Sequence, residues 1–301
     1  KNGSIWLTAH TNTTRWLNKI HDDVYARLER RVQIIDTMFA NPDNPLPLGT
    51  NSHFRLKVYT EYKYDNKLEI DFKPRFDASL HVPNMESRLH IYLSSTDPEE
   101  LPGADPVKIN RPVFIGLKRA FDIADLYTDA SLSLRGGIPP VLLARFKGRD
   151  TINMGKLLVS PQQSVFWYSD DGFGEMSTIS FDYFPSSNSL FQAVSSIKWT
   201  ETTHGVEFQQ ILGTAHAFKG TIDDPRIAFG TQVICSGHKS GKSLIDSWRW
   251  DIISCRLPIC SGWLFMNITP RTEWRNDNHW NGTPSVFFGI EAYFSDANES
   301  L

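Results

Sequence analysis

Sixteen consecutive residues, Lys67–Val82, alternate between two kinds of side chain without a break. The even positions are Leu68, Ile70, Phe72, Pro74, Phe76, Ala78, Leu80 and Val82. The odd positions are Lys67, Glu69, Asp71, Lys73, Arg75, Asp77, Ser79 and His81. Successive side chains of a strand point to opposite faces, so this period gives one apolar face and one charged face. The pattern returns at Tyr127–Arg135 and Leu264–Trp274, and more weakly at Arg55–Tyr62 and Phe191–Thr200. Between Ser52 and Asp296 about fourteen such segments follow one another, centred near 58, 74, 91, 117, 131, 145, 162, 179, 196, 212, 231, 250, 268 and 290. Turn signals separate them, among them Asp65-Asn66, Gly136-Gly137, Asp170-Asp171-Gly172 and Asp223-Asp224-Pro225. A chain this regular in period two is all-β.

Strand length then separates two all-β architectures. Strands of soluble sheets usually run about 5–6 residues, whereas a strand crossing a bilayer needs about 9–11. Several segments here are longer than the soluble norm, and their polar faces carry charges of both signs in close succession. That is the composition of a hydrated, self-neutralising interior. A membrane-spanning helix would need ~18 or more consecutive apolar residues; stretches such as Ile138–Ala144 and Val113–Leu117 fall far short. An upward first strand would bring Trp167, Trp199, Trp248 and Trp274 toward one end, where amphipathic rings suit a membrane–water interface. The net charge of −3 offers no basic face for nonspecific nucleic-acid binding.

The first fifty residues are different. Leu17, Ile20, Val24, Leu28, Val32, Ile35 and Phe39 recur at spacings of three and four and trace one face of a helix over 13–40. A proline-rich stretch, Asn41–Pro47, ends it. The expected organisation is a helical segment with linker (1–50), a barrel (52–296) and a short tail (297–301).

The last segment, Phe287-Phe288-Gly289-Ile290-Glu291-Ala292-Tyr293-Phe294, carries a glycine, then apolar residues at alternate positions, and closes on an aromatic. In this, and in its repeated long alternation, the chain resembles Gram-negative outer-membrane β-barrels of the porin-like class. It departs at Phe287, where a polar residue is usual, and in the residues that follow Phe294. The resemblance implies a closed antiparallel transmembrane β-barrel with an even number of strands, here fourteen, with twelve the alternative. It implies an assembly signal at Gly289 and Phe294, outer-membrane location and both termini in the periplasm. It implies outer-membrane lipid and lipopolysaccharide, together with the barrel-assembly machinery, as partners. In that topology the longest connections, Ser95–Arg111 and Arg275–Thr283, land outside, leaving little chain for an elaborate constriction loop.

No motif supports catalysis, a cofactor or a metal. Ser236–Ser243 has the outline of a phosphate-binding loop, but its first glycine is missing and a strand pattern follows where a helix is required. The nine histidines lack zinc-site spacing. Asp170–Glu175 lacks the full spacing of a calcium loop. Cys255 and Cys260 flank a plausible turn, a spacing that leaves a hairpin-closing disulfide open.

What remains is the polar face of the barrel. The expected lumen-lining residues are Lys73, Arg75, Asp77, Arg88, Asp129, Arg135, Arg145, Lys147, Arg149, Arg249, Asp251, Arg271 and Glu273, with Lys57, Lys198, Glu69, Asp71, Asp182 and Glu291 on the same faces. Such a lining makes either a pore that favours small polar or anionic solutes or a cross-linked plug. A channel-like function is the leading expectation. A structural anchor for a larger envelope assembly is the alternative, and a lipid hydrolase the third, although no Gly-x-Ser-x-Gly is present. The expected docking face, for a partner or a second copy, is Leu17, Ile20, Val24, Leu28, Val32 and Ile35.

Overall fold

The computed structural model describes residues 2–39, 53–65, 67–81, 89–102, 104, 113–123, 126–202, 205–222, 225–239, 244–259 and 262–294. Among the described residues one helix, α1 (Asn2–Phe39), precedes fifteen strands. These are β1 (His53–Asp65), β2 (Lys67–His81), β3 (Leu89–Ser94), β4 (Phe114–Ile123), β5 (Leu126–Arg135), β6 (Val141–Arg149), β7 (Ile152–Met154) and β8 (Leu157–Tyr168). They continue as β9 (Gly172–Ser186), β10 (Ser189–Thr200), β11 (Val206–Gly220), β12 (Pro225–Lys239), β13 (Ser247–Pro258), β14 (Leu264–Arg275) and β15 (Gly282–Phe294). Each strand pairs antiparallel with its neighbours in sequence, apart from the short β7, which pairs only with β8. Pairings of β1 with β15 and of β6 with β8 close the ring. Fourteen strands therefore form a closed barrel, as the alternation predicts, and the three-residue β7 lies outside it. Closure leaves no unpaired edge, so the backbone polar groups satisfy one another within the wall.

The burial is inverted relative to a soluble domain. On β5, Ala130, Leu132 and Leu134 face outward, with the two leucines 52% and 48% exposed, while Asp129, Ser131 and Ser133 are buried. On β8, Val165 is outside and Ser164 inside. On β15, Ile290 is outside and Glu291 inside. An apolar outer belt over a polar interior is stable only when the belt faces hydrocarbon, so this is a membrane-type barrel. The antiparallel order puts the strand ends bearing Trp167, Trp199, Trp248 and Trp274 at one end of it.

Helix α1 begins well before residue 13, where the periodic pattern starts. Extending an existing helix costs little per residue once it is nucleated, so polar, weakly patterned residues join it. His21 anchors it to the end of the barrel where the last strand stops. Its Nε2 lies 3.0 Å from the Tyr293 carbonyl, and its ring stacks on Phe294 with centroids 4.9 Å apart. The Trp263 indole donates to Asn18 Oδ1 at 2.9 Å. Of the expected docking face, Val32 is buried, Leu17, Val24 and Leu28 are half-buried, and Ile20 is exposed. The Ile35 side chain lies outside the described residues.

Candidate functional site

Strand parity decides what faces inward. In β6, Val141, Leu143, Arg145 and Lys147 share the inner face, while Phe146 is half exposed outside. In β8 the inner residues are Ser164, Phe166 and Tyr168. Part of the interior is thus apolar: Phe114, Val141, Leu143, Phe166, Tyr168 and Met176 pack as one cluster on this wall.

Against that cluster lies the connection between β3 and β4, and here the expectation is corrected. Residues 95–102 and 104 do not stay outside; they fold into the barrel. Glu99 is wholly buried. Its carboxylate accepts from Ser164 Oγ at 2.8 Å and from Arg145 Nη1 at 3.3 Å, and its carbonyl accepts from Lys198 Nζ at 2.8 Å. The Tyr168 hydroxyl donates to Asp97 Oδ1 at 2.6 Å, and Leu101 packs on the apolar cluster. Beyond Leu101, Pro102 and Ala104 reach a cavity bounded by β1 and β11–β15. The segment therefore crosses the interior as a strap. The inward turn has a physical reason: Glu99 meets buried cations, and Leu101 finds one of the few apolar surfaces inside. Nothing in the strap's own spacing carried that information, because its partners are supplied by three separate strands.

Arg145 is the hub of this wall. It also reaches Asp129 Oδ1 at 3.3 Å, and Lys118 Nζ lies 3.5 Å from Asp129 Oδ2. Burial pushes the Glu99 carboxyl above the ordinary carboxylate range, outweighing the pull of Arg145, the Ser164 hydroxyl and Lys147.

The opposite wall surrounds the cavity of about 500 Å³. Among its lining side chains are five cations, Arg55, Lys57, Arg249, Arg256 and Arg271, and two carboxylates, Asp251 and Glu291. Glu291 is shared by Arg55, by Lys57 at 3.3 Å and by Arg256 at 3.9 Å. Asp251 is shared by Arg249 at 3.3 Å, Arg271 at 3.6 Å and the Gln232 amide at 2.6 Å. Aromatic faces carry the rest: Arg256 lies 4.1 Å from the Phe265 centroid, and Arg271 4.6 Å from that of Phe287. Such stacking holds a guanidinium in place without consuming its donors. The buried Nε–H groups of Arg249 and Arg256 make no hydrogen bond among the described residues.

Phe287, unusual for its position in the last segment, faces inward and underlies Arg271 and Tyr59. Gly289 sits directly across from Tyr59, and a Cβ there would come within 3.0 Å of the Tyr59 ring. The glycine gives the ring its space. Phe294, at the end of the strand, is the residue on which His21 stacks.

The remaining expected site residues are spread around the barrel. Arg75 stacks over Tyr59 at 5.2 Å, and Asp77 accepts from the Ser94 hydroxyl. Arg135 pairs with Asp170 in the turn after β8 and lies over Tyr168, so that turn carries an ion pair. Arg149 is exposed at the other end of β6, 4.4 Å over Tyr127. Glu273 stands across from Arg249 in the β13–β14 register. Arg88 and the Lys73 side chain lie outside the described residues. Cys255 carries a free thiol, and Cys260 lies outside the described residues.

Sequence reasoning missed Glu61, Glu99, Lys118 and Arg256. Glu61 is buried against Ser285 at 2.7 Å and Arg271 at 3.9 Å. Arg256 has the wrong parity: Arg249 and Asp251 are odd, and strict alternation would turn Arg256 outward. A β-bulge between Asp251 and Cys255 adds a residue to β13 and reverses the parity. Its trace is the adjacent pair Ile252-Ile253, both exposed. Two neighbouring apolar residues that break a period of two were the available signal.

No protein-family model matches the chain, and no curated protein matches it by sequence. Solved structures do resemble it. The Pseudomonas aeruginosa protein OccK2 (OpdF), determined in complex with glucuronate, is 10% identical, with 83% of this chain and 97% of that one covered and a TM-score of 0.50. OccK11 (OpdR) of the same organism is 9% identical, covering 81% and 96%, with a TM-score of 0.48. A loop-deletion mutant of the Vibrio cholerae outer-membrane protein OmpT is 10% identical, covering 81% and 99%, with a TM-score of 0.45. At such identity the likeness to OccK2 speaks for the fold alone, and with the closed ring and inverted burial it shows that this chain has the porin-like barrel fold of Gram-negative outer-membrane proteins.

Proposed function

We propose that this protein is an outer-membrane channel for small anionic solutes, with both termini in the periplasm. The observation that carries this reading is the cavity lining, five cations to two carboxylates, held on a rigid wall opposite the inward strap. A carboxylate or phosphate passing through exchanges water for guanidinium donors that aromatic rings already hold in place. Because the cations are partly matched by Glu291 and Asp251, they attract anions without trapping them. OccK2 was solved with glucuronate, a carboxylate, which is in keeping with such a solute class.

Planar bilayers separating unequal salt concentrations test the reading. The reversal potential is expected to report a preference for chloride over potassium, and Arg256→Gln should reduce that preference while conductance persists. A cation-preferring pore, or an insulating barrel, would overturn it. The structural-anchor reading draws on one observation: Trp16, Ile20 and Ile34 are exposed along α1. Charging Trp16 and Ile20 to Asp should then remove any co-purifying envelope partner and leave a heat-modifiable barrel.

A further inference from the structure

The inner wall that holds the strap carries polar groups that neither the strap nor the channel reading uses. Across β3–β6, Tyr92 stands opposite Gly116, Gly116 opposite Ser133, and Ser131 opposite both Lys118 and Arg145. Ser131 and Ser133 share the inner face of β5 with Asp129 and are only 7% and 2% exposed. Tyr92 packs on the inner apolar cluster. Four buried donors at these neighbouring positions make no hydrogen bond among the described residues: the hydroxyls of Tyr92, Ser131 and Ser133, and the Nε–H of Arg145. Buried polar groups nearly always have a partner, and leaving one unmade is costly.

The same patch is short of negative charge. Four cations, Lys118, Arg145, Lys147 and Lys198, are gathered there with three carboxylates, Asp97, Asp129 and Glu99. Asp129 is shared by Lys118 and Arg145, and Asp97 accepts from the Tyr168 hydroxyl. Lys198 meets Glu99 at its backbone carbonyl, which carries no full charge. A cation withdrawn from water without a counter-charge is unfavourable. Space comes from Gly116, where a Cβ would lie 2.5 Å from the Ser133 Cβ. Strand β4 therefore carries no side chain there, and the inner layer has none between Tyr92 and Ser133.

We propose that Tyr92, Ser131, Ser133 and Arg145 hold a chloride ion as a resident ligand of this wall. A monoatomic anion accepts from several donors at once, and hydroxyls rotate to aim their protons at it. It supplies the missing charge, which a water molecule bonded to the same hydroxyls would not. Two nearly inaccessible serines leave a larger oxyanion no room. The strap belongs to the same group: Glu99 bonds Arg145, and Leu101 packs on the cluster that Tyr92 also touches. An ion bound only when these parts are assembled stabilises the docked strap. The site lies on the wall opposite the cation-lined cavity, so the proposal does not rest on what the barrel passes.

The test uses the full-length, detergent-solubilised protein, digested at fixed pH and ionic strength in sodium chloride or in sodium gluconate, whose anion is too large for the site. Cleavage within the strap should be several-fold slower in chloride. Ser131→Ala combined with Ser133→Ala removes two donors and adds no bulk, and should be cleaved at one rate in both salts. Crystals of the unaltered protein grown in sodium bromide should show an anomalous scattering peak beside Ser131 and Ser133. Should the double variant fail to fold, the bromide peak decides alone. Equal cleavage of the unaltered protein in the two salts, a chloride effect that survives the double substitution, or ordered water without bromide at the two serines would each overturn the proposal.

Discussion

The two walls of the barrel interior are made from the same ingredients and reach opposite outcomes. On the wall of β5, β6, β8 and β10, the cations Arg145 and Lys198 are met by a piece of the chain itself, through Glu99. On the wall of β1 and β13–β15, Arg249, Arg256 and Arg271 are met by carboxylates of the wall and by aromatic rings. The first wall is spent on holding the strap; the second leaves cations facing the cavity. Charge density on a strand face therefore does not by itself decide which cations face the cavity. What decides whether a cation faces the cavity is where its neutralising partner comes from.

The largest effect is expected from taking the strap away. Replacing residues 96–104 by a short Gly/Ser link should leave a heat-modifiable barrel, because ring closure does not involve them. Single-channel conductance should rise several-fold, and selectivity should weaken because a wider aqueous path screens every charge, an effect larger than the gain from freeing Arg145 and Lys198. An unchanged conductance would mean that the strap does not constrict the path.

A narrower break is Arg145→Ala. It strands Glu99 and Asp129, both nearly inaccessible to solvent, without their shared partner. Removing one member of a buried pair costs about 3–5 kcal/mol. That is comparable with what Leu101 and the Asp97–Tyr168 bond contribute, so the strap should undock far more often. Protease cleavage within 95–104 is the readout, with the barrel core resistant. The reciprocal change, Arg256→Ala, removes a cation from the other wall and should leave the strap protected. Equal cleavage in both variants would dissolve the distinction between the walls.

The smallest effect is on pH. The Glu99 carboxyl titrates above its ordinary value when the strap is docked. The docked state therefore binds its proton more tightly than the undocked state. That contribution to docking is complete below the ordinary Glu value of about 4.3 and is lost as pH rises through the raised one. Excursions to larger conductance should become rarer on acidification from neutral pH, and Glu99→Gln should abolish the trend. Arg145, Lys147, Lys198 and Asp129 surround the same site, and a trend surviving in Glu99→Gln would overturn the assignment to Glu99.

Much of the fold was legible because a strand's two faces are written directly into its sequence. Lys67–Val82 showed its period in full, and all fourteen barrel strands formed around the expected centres. Closure followed from the same pattern, since an outward apolar face this continuous needs a ring and a membrane. Local sequence also held the mark of the β13 bulge, in Ile252-Ile253, though only pairing on both sides shows what it does to Arg256.

Tertiary structure alone decided where the chain between β3 and β4 goes, and with it the division of the interior. Glu99 has no periodic context; its burial depends on Arg145, Ser164 and Lys198, which stand 46, 65 and 99 residues away. A strand's pattern is a local property, repeated every two residues and reinforced by each neighbour. A strap's course is a sum of a few long-range contacts, each invisible until the ring brings their partners to one place.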